Sequence, residues 1–423
     1  MRNREYFRNK KVTIVGLARS GLACANLFYD LGSDVSITDN QNNNVTQRNA
    51  ARLKSKSIKV ELGQHSENFI KGRDFIVVSP GVASDSLPLA WAKQFSVPVI
   101  SEIEVGWLLC PARIIAVTGS NGKTTVTTLI GKILEAKGEK VFVCGNIGNP
   151  FCAELEKMKE GDFVSLEVSS FQLETIKDFK PNISIIINFT KNHLDRYRNM
   201  QEYLEAKKRI FMNQNKNDYL ILNSQDRTLR ELAKDARANI VYFSAEEGLN
   251  PNQAAVMVAG KVLGIGREMC LDVFKKFNGV EHRLEYVTEI NNIRFINDSK
   301  ATTVDSAIWA LENIASPILL IAGGKDKGLD YSGVLEMARK KVREVVLIGE
   351  ARQKLKGAFK GLLPINEAES LEEAVSIAFS KAKKGDSVLL SPMCSSFDMF
   401  SDYEERGRVF KEAVFKLAKD KLL

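Results

Sequence analysis

Short runs of apolar residues alternate with amphipathic stretches along most of the chain. Eleven of these runs have the length and the β-branched content of buried strands, and they end in turn residues or in residues that can bind a ligand. They are KVTIVGL, DVSITD, DFIVVSPG, RIIAVTG, KVFVCG, DFVSLEVSS, ISIIINFT, DYLILN, PILLIAGG, EVVLIG and SVLLSP. Because buried strands separated by helices are typical of parallel sheets, the pattern predicts an α/β fold.

The number of predicted strands exceeds that of one ordinary sheet, so more than one domain is expected. A chain of 423 residues with 44% hydrophobic content has room for two or three packed domains. Boundaries are indicated near residue 100, where VPVISEIE closes one unit, and near residue 280, after REMCLDVFKKF. No apolar run reaches the roughly 18 residues that a membrane span needs, and the basic N-terminus lacks a signal-peptide core.

Composition narrows the class of ligand. The formal net charge is +8, but no basic run is interleaved with aromatic residues, so phosphorylated small molecules are expected rather than nucleic acid. The six cysteines are scattered without a CxxC pair. This favours free thiols in a reducing cytosol over a disulfide framework or a zinc site, and thus a cytoplasmic protein.

A first glycine loop lies near the N-terminus. VTIVGLARSGLACANLFYDLGSDVSITDN predicts a strand, a glycine turn, a helix, a second strand and an acid, which is the layout of a dinucleotide-binding unit. Gly16 and Gly21 are present, but Ala18 replaces the glycine that lets a pyrophosphate approach the backbone. We therefore expect a nucleotide or sugar nucleotide here, with Asp39 reaching a ribose hydroxyl. Purely structural turn glycines are the alternative.

A second glycine loop, TGSNGKTT, follows the buried run RIIAV. Successive backbone N–H groups that lead into a helix N-terminus form an anion cradle. Lys123 is expected to contact the terminal phosphates and Thr124 to offer its hydroxyl to Mg²⁺. Val117 stands where the longer phosphate-loop pattern has its first glycine, so this is a shortened version. A capped helix entry with an exposed lysine is the alternative.

Two further residues point to a metal near this loop. Glu167 ends the strand of DFVSLEVSS, where an acid without a partner would be costly to bury, and a bound Mg²⁺ removes that cost. His193, one of three histidines, follows the strand ISIIINFT. We expect it to be a metal ligand or a phosphate contact, although a capping or surface histidine is the more common role.

Taken together, a series of motifs in fixed order resembles the Mur ligases of bacterial cell-wall synthesis. The series covers nearly the whole chain and comprises VTGSNGKTTV, GNIG, EVSSFQLE, NHLDRY, EAKKRIF, EHRLE, NDSKATT, GGKDKG and LLSPMCSSFDMF. The SPG and SEIE segments and the lack of a D-N-P-R motif favour the members that add D-glutamate. Another Mur ligase, or a ligase similar to folylpolyglutamate synthase, is the alternative within the same class.

The resemblance implies an α/β protein of three domains. An N-terminal Rossmann-like domain at 1–100 would bind the UDP part of the substrate. A central P-loop-type ATPase with a mainly parallel sheet would occupy 101–280, and a second Rossmann-like domain at 281–423 would contact ATP and the incoming amino acid. The implied reaction is ATP-dependent amide formation between UDP-N-acetylmuramoyl-L-alanine and D-glutamate through an acyl phosphate. The implied partners are these small molecules alone, and a monomer is expected.

The resemblance also assigns residues of the first two domains. UDP-substrate contacts are expected at Leu17, Asp39, Ser79, Gly81, Asn146, Ser169 and Gln172. ATP contacts are expected at Gly119, Ser120, Asn121, Gly122, Lys123, Thr124, Thr125 and Asn252. Two Mg²⁺ ions would be bound by Thr124, Glu167, His193 and Lys207. Lys207 is expected to be carbamylated, because its own positive charge would repel the metal whereas a carbamate supplies an oxygen ligand. A solvent-facing helix lysine is the alternative.

In the last domain, the resemblance assigns ATP contacts to His282, Arg283 and Asp298 and D-glutamate contacts to Thr302, Lys327, Ser396 and Phe397. The expected catalytic groups are Lys123, His193, Lys207, Arg283 and Lys300. The chain departs from the family pattern at Asn40-Gln41, at Asn192 and in the reduced stretch PNQAA, where Asn252 remains. The last departure predicts a smaller adenine–ribose contact surface and weaker ATP binding.

Two interpretations from other classes are also open. A nicotinamide-dependent oxidoreductase would use the first loop, and Ala18 argues against it. A non-catalytic nucleotide-binding module would use the second loop and bind nucleotide without turnover.

Overall fold

The chain forms two compact units, Met1–Phe277 and Asn278–Leu423. The computed structural model describes residues 1–190, 196–277, 279–326 and 328–420, so His193 and Lys327 lie outside the described residues. No helix in these ranges is both long and apolar enough to cross a membrane. All six cysteines are buried as free thiols.

The first sheet is entirely parallel, in the order β3-β2-β1-β4-β5. Its strands are β1 Lys11–Val15, β2 Asp34–Asp39, β3 Lys59–Leu62, β4 Phe75–Val78 and β5 Val99–Ser101. The helices that accompany it are α1 Arg19–Asp30, α2 Asn44–Ala51, α3 Leu87–Gln94 and α4 Glu102–Leu109. The order reverses beside β1, so the carboxyl ends of β1, β2 and β4 flank the crevice where such folds bind ligands.

The second sheet is also parallel, in the order β11-β10-β9-β6-β8-β7. Its strands are β6 Arg113–Thr118, β7 Val141–Gly145, β8 Phe163–Glu167, β9 Ile183–Ile186, β10 Tyr219–Asn223 and β11 Asn239–Phe243. Its helices are α5 Lys123–Ala136, α6 Phe151–Glu154, α7 Ser170–Leu173, α8 Met200–Lys208, α9 Arg227–Leu232, α10 Pro251–Val262 and α11 Arg267–Lys276. The central β6 therefore ends between the ends of β8 and β9.

The first two sheets share one hydrophobic core. Phe7 and Phe28 beside the first sheet belong to the same buried cluster as Ile103, Phe151 and Leu155, which precede or accompany the second sheet. A separate cluster, which includes Val126 of α5 and Val256 of α10, covers the other face of the second sheet. The shared cluster joins the first two sheets in one compact unit.

The third sheet forms the core of the C-terminal unit, in the order β12-β13-β17-β14-β15-β16. Its strands are β12 Glu285–Ile290, β13 Ile293–Asn297, β14 Ile318–Gly323, β15 Val342–Ile348, β16 Ile365–Glu367 and β17 Ser387–Leu390. Its helices are α12 Val304–Asn313, α13 Leu335–Lys341, α14 Arg352–Phe359, α15 Leu371–Lys381 and α16 Tyr403–Asp420. All pairs are parallel except β12–β13, an antiparallel hairpin at the sheet edge.

The α/β class, the three domains and the mainly parallel sheets predicted from the sequence are confirmed, with one sheet in each domain and the first two domains together in the unit Met1–Phe277. All eleven predicted strands are present. Six strands were missed, namely β3, β5, β11, β12, β13 and β16. The exact domain boundaries stay a prediction.

Candidate active site

The second glycine loop occupies the turn between the end of β6 and the start of α5. Gly122 has a φ of +80°, which favours glycine, and a Cβ there would lie 2.3 Å from Oδ1 of Asn252. α5 begins at Lys123, so its first N–H groups face the loop. The structure therefore brings Asn252, at the start of α10, against the predicted phosphate loop.

The end of β9 braces this loop. Asn121 N donates to Oδ1 of Asn188 at 2.9 Å, and Nδ2 of Asn188 donates back to Asn121 O at 3.2 Å. Ser120 Oγ donates to Thr190 O at 3.0 Å. These bonds fix the loop before any ligand arrives. The sequence analysis did not identify Asn188, although its position directly after a buried strand is the kind of signal that identified Glu167.

Two lysines converge on one carbonyl oxygen of the loop. Lys123 Nζ lies 3.0 Å from Gly119 O, and Lys207 Nζ on α8 donates to the same oxygen at 2.8 Å. Lys207 is 1% exposed. Burial, followed by the nearby charge of Lys123, holds its pKa well below the usual range, while Glu167 opposes the shift. Lys207 is thus a buried member of the site and not a solvent-facing lysine.

Tyr203 lies one helical turn before Lys207 on the same face of α8. Lys207 Nζ is 4.6 Å from the centre of its ring, and its hydroxyl is 3.3 Å from Ser120 Oγ. The side chain is fully buried. Tyr203 therefore supports both the loop and the lysine. Its i, i+4 spacing from Lys207 would have revealed it in the sequence.

Glu167, at the end of β8, is 1% exposed. Its Oε1 accepts a 2.7 Å hydrogen bond from Asn146 Nδ2, whereas Oε2 is buried with no hydrogen-bond partner. β8 is paired with β6 through Val117 and Glu167, which places the carboxylate beside the phosphate loop. Thr124, the first-turn hydroxyl of α5, is also buried. The expected proximity of Glu167 to the loop is found.

In the first glycine loop, Asp39 forms hydrogen bonds with the protein backbone. Its carboxylate accepts from Leu17 N at 2.6 Å and from Gln41 N at 2.8 Å. Ser79 Oγ donates to Gly16 O at 3.0 Å, so the end of β4 is joined to the same turn. Leu17 is fully buried and Gly81 is exposed. The structure brings Leu17, Asp39 and Ser79 together at the carboxyl edge of the first sheet.

Ser169 and Gln172 form a capping box at the start of α7. Ser169 Oγ accepts from Gln172 N at 3.3 Å, and Gln172 Oε1 accepts from Ser169 N at 2.9 Å. Their predicted neighbour Asn146 follows β7, the strand next to β8. All three thus lie after adjacent strands of the second sheet, and Asn146 contacts Glu167 directly.

In the C-terminal unit, the predicted residues cluster where β13 and its neighbour β17 end. Asp298 N donates to Leu390 O at 2.8 Å, and Met393 N donates to Ala301 O at 2.9 Å, so the two following segments lie side by side. The first segment carries Asp298, Lys300 and Thr302, and the second carries Ser396 and Phe397. Ser396 is 2% exposed, whereas Phe397 is 56% exposed.

Asp298 and His282 are both buried in this unit. Asp298 accepts from Ser391 Oγ at 2.9 Å and from Leu284 N at 3.2 Å, and burial raises its pKa to about 7 against these two bonds. His282 Nδ1 lies 2.9 Å from Nδ2 of Asn297, and burial lowers the pKa of its imidazole. Both side chains therefore also have structural partners that the sequence did not indicate.

The two remaining cationic residues predicted for the site in this unit contact aromatic rings. Arg283 lies 5.7 Å from the ring centre of Trp309, and Lys300 Nζ lies 5.7 Å from that of Tyr403. His193 and Lys327, predicted for the metal and for D-glutamate, lie outside the described residues.

Three known domains match consecutive segments of the chain. These are the N-terminal domain of MurD-like Mur ligases over residues 10–101, the Mur ligase middle domain over 117–266, and the glutamate ligase domain of Mur ligases over 282–394. UDP-N-acetylmuramoylalanine–D-glutamate ligase of Thermoanaerobacter pseudethanolicus is 39% identical, with 97% of this chain and 99% of the relative covered. The enzyme of the same name from Geobacter sp. strain M21 is 40% identical, with 96% and 98% covered.

Solved structures share the fold. UDP-N-acetylmuramate–alanine ligase MurC of Thermotoga maritima has a TM-score of 0.60 at 20% identity, with 96% of this chain and 99% of that chain covered. A pseudomurein peptide ligase type C of Methanothermus fervidus has a TM-score of 0.56 at 17% identity, with 97% and 100% covered. With three consecutive Mur ligase domains and relatives at about 39% identity across almost its whole length, the chain belongs to the Mur ligase family.

Proposed function

We propose that the protein is an ATP-dependent ligase that joins D-glutamate to UDP-N-acetylmuramoyl-L-alanine in peptidoglycan precursor synthesis. The observation that carries the choice of substrates is the near-complete match to relatives that bear that name, including the MurD-like N-terminal domain. The phosphate loop, with Lys123, Glu167 and Lys207 around it, supports the use of ATP. The enzyme would work as a cytoplasmic monomer on small-molecule substrates.

Phosphoryl transfer to the alanine carboxylate depends on positioning and on charge neutralisation. The backbone of Gly119, Ser120, Asn121 and Gly122 and the first turn of α5 would hold the phosphates of ATP. Lys123 would exchange its bonds to the loop carbonyls for the γ-phosphate. The resulting acyl phosphate is then attacked by the amine of D-glutamate, and phosphate leaves as the amide forms.

The residues present fit a magnesium ion. The buried Oε2 of Glu167 has no protein partner, and a divalent cation would compensate its charge. Thr124 and Glu167 would hold one Mg²⁺ ion. His193 and a carbamylated Lys207 would hold a second ion. When bound, Mg²⁺ would neutralise charge on the transferring phosphoryl group.

Lys207 is the residue that we propose to be carbamylated. Two ammonium groups on the single oxygen Gly119 O repel each other, and Lys207 is buried where solvent screens this repulsion little. Reaction of the neutral amine with CO₂ forms an N–C bond and releases a proton. The carbamate anion then attracts Lys123 instead of repelling it. Tyr203 and Thr118, which both contact the side chain, would keep it in place.

The UDP substrate would extend from the first sheet to the second. Leu17, Asp39, Ser79 and Gly81 would hold its uridine end. Because Asp39 already accepts two backbone N–H groups, we propose that it shapes the loop as well as contacting the nucleotide. Asn146, Ser169 and Gln172 would contact the muramoyl-alanine end, close to Glu167.

The C-terminal unit would supply the remaining contacts. His282, Arg283 and Asp298 are proposed for ATP, and Lys300 and Arg283 for the charge that develops during transfer. Thr302, Lys327, Ser396 and Phe397 are proposed for D-glutamate, because a lysine and hydroxyls suit its two carboxylates.

A phosphate-release assay tests the function. Wild-type protein with ATP, Mg²⁺ and UDP-N-acetylmuramoyl-L-alanine should release phosphate only when D-glutamate is added. Lys123→Ala should reduce the rate by roughly 100-fold or more, because the phosphates lose their cation. The matched control is Lys140→Ala, at an exposed lysine directly before β7. Turnover of UDP-N-acetylmuramate with L-alanine, or of UDP-N-acetylmuramoyl-L-alanyl-D-glutamate with diaminopimelate, in the absence of turnover with D-glutamate would assign the protein to another Mur activity.

A further inference from the structure

Arg196 joins the loop after β4 to the segment around α7. Its Nη1 donates to Pro80 O at 3.0 Å, and its Nη2 donates to Val82 O at 3.1 Å. The same Nη2 lies 3.4 Å from Oε2 of Glu174, and the guanidinium carbon lies 4.0 Å from the ring centre of Phe171. One side chain thus contacts the first domain through two carbonyls and the second domain through an acid and a ring.

The geometry suits arginine specifically. A planar fork can donate to two carbonyls of one turn while its face rests on an aromatic ring, and a lysine ammonium cannot do both. Glu174 is itself held, because Tyr197 donates to its Oε1 at 2.6 Å. The side chains of Arg196 and Glu174 are only 21% and 23% exposed, which limits solvent screening of the pair.

In the loop 79–82 that Arg196 contacts, Val82 packs against the hydrophobic cluster of Val15, Ile70 and Ile76, whereas Gly81 at the tip is exposed. Val82 N donates to Ser79 O within the loop, and Ser79, the first residue of the loop, donates from its Oγ to Gly16 O. At Gly81, however, a Cβ would meet no atom within 4 Å. A cleft separates this loop from α7, and its opposite walls carry Ser79, Pro80 and Val82 on one side and Phe171, Gln172 and Thr175 on the other.

We propose that Arg196 is a positioning residue for the UDP substrate: it fixes the spacing between the loop 79–82, which holds the uridine end, and the residues at 169–172, which hold the muramoyl-alanine end. This inference rests on the proposed function. Arg196 itself contacts backbone and side chains of the protein. Its loss should therefore weaken UDP-substrate binding by loosening the loop while leaving the phosphate loop intact.

The test compares Arg196→Lys with Arg198→Lys, a matched change at an exposed arginine two residues along the chain. For Arg196→Lys we expect the KM for UDP-N-acetylmuramoyl-L-alanine to rise about 10-fold, since bidentate positioning is lost. The KM for ATP, kcat and the melting temperature should change little. Arg198→Lys should behave as wild type. Equal changes in both KM values, or a lower melting temperature with an unchanged KM, would overturn the proposal.

A second variant covers failure of the first to fold. Glu174→Gln keeps an acceptor for Tyr197 but removes the charge opposite Arg196, and it should raise the same KM about threefold. An unchanged KM would overturn the proposal. Titration calorimetry with the UDP substrate alone tests the positioning role of Arg196 separately from the proposed ligase function. If wild type binds that substrate but does not release phosphate with D-glutamate, the proposed function fails, and the dissociation constants of the variants still decide the role of Arg196. Wild type that does not bind overturns both.

Discussion

Lys123 and Lys207, which share the oxygen of Gly119, give the sharpest prediction for a single residue. Lys207→Ala should lower phosphate release by roughly 100-fold, because the proposed carbamate ligand is lost. Acetate at tens of millimolar should restore part of the rate, since its carboxylate can enter the space that the side chain leaves. Phosphate release with and without acetate measures both effects.

The control is the neighbouring Lys208→Ala, since Lys208 pairs with Asp235 at the surface. It should keep wild-type activity and show no response to acetate. A Lys207→Ala enzyme as active as wild type in bicarbonate-supplied buffer would contradict carbamylation.

Glu167 gives the second prediction for a single residue. Glu167→Gln should raise the Mg²⁺ concentration for half-maximal rate at least about 10-fold, because a charged ligand becomes neutral. Without metal, its melting temperature should equal or exceed that of wild type, since a buried charge whose Oε2 has no hydrogen-bond partner is removed. Activity titrations with Mg²⁺ and thermal melts test the pair of effects. Glu160→Gln, at an exposed acid before β8, is the control, and the same Mg²⁺ dependence in both variants would contradict the assignment.

At the scale of elements, α4 and α6 meet at a buried acid. Oε1 of Glu102 accepts from Cys152 N at 2.7 Å, while Oε2 has no partner. Burial raises the pKa of this carboxyl from 4.5 to about 7. The folded protein therefore holds a proton that the unfolded chain releases, and this contribution to stability is complete below about pH 4.5 and disappears as the pH rises through 7.

Glu102→Gln should remove that dependence. Between pH 5 and pH 8, the free energy of unfolding of wild type should fall by roughly 3 kcal/mol more than that of the variant, at about 1.4 kcal/mol per pKa unit. Denaturant unfolding at the two pH values measures the difference. Parallel pH dependences of the two proteins would show that Glu102 does not carry it.

The same scale shows what the sequence predicts well. Runs such as RIIAVTG are buried on both faces, and their continuous apolar pattern identifies them. Asn239–Phe243 and Lys59–Leu62 are edge strands with exposed or half-exposed residues, so they lack such a run. The β12–β13 hairpin had a usable signal, because Asn291 and Asn292 both take the positive φ that two-residue hairpin turns favour.

Site residues follow a similar division. Glu167 ends a predicted strand, Asn146 directly follows one, and Lys123 follows one after a short glycine loop, so the parallel-sheet geometry brings them together. Tyr203 had a local signal in its i, i+4 spacing from Lys207, whereas Arg196 acts through contacts with the distant Pro80 and Val82, which local sequence does not reveal. The two backbone bonds of Asp39 were likewise hidden, because the chain must first close the turn at Gly16 to form them.

At the scale of the whole molecule, the core shared by the first two sheets predicts that they unfold together. Phe151→Ala should cost about 3–5 kcal/mol, since Phe151 is fully buried in that cluster. Amide hydrogen exchange should then rise together in β1 and in β7, while β14 of the C-terminal unit keeps its protection. A rise confined to one of the two sheets would contradict a common core.

The bonds of Lys123 to its own loop bear on which anions the protein will accept. The ammonium already has oxygen partners in Gly119 and Ser120, so an incoming anion gains only the difference between those contacts and its own. A lone orthophosphate offers little beyond that exchange, whereas a triphosphate also engages the amides along the bend. The two hydrogen bonds of Lys123 to its own loop should therefore make the site discriminate against inorganic phosphate, which is abundant in cells and which each turnover would release.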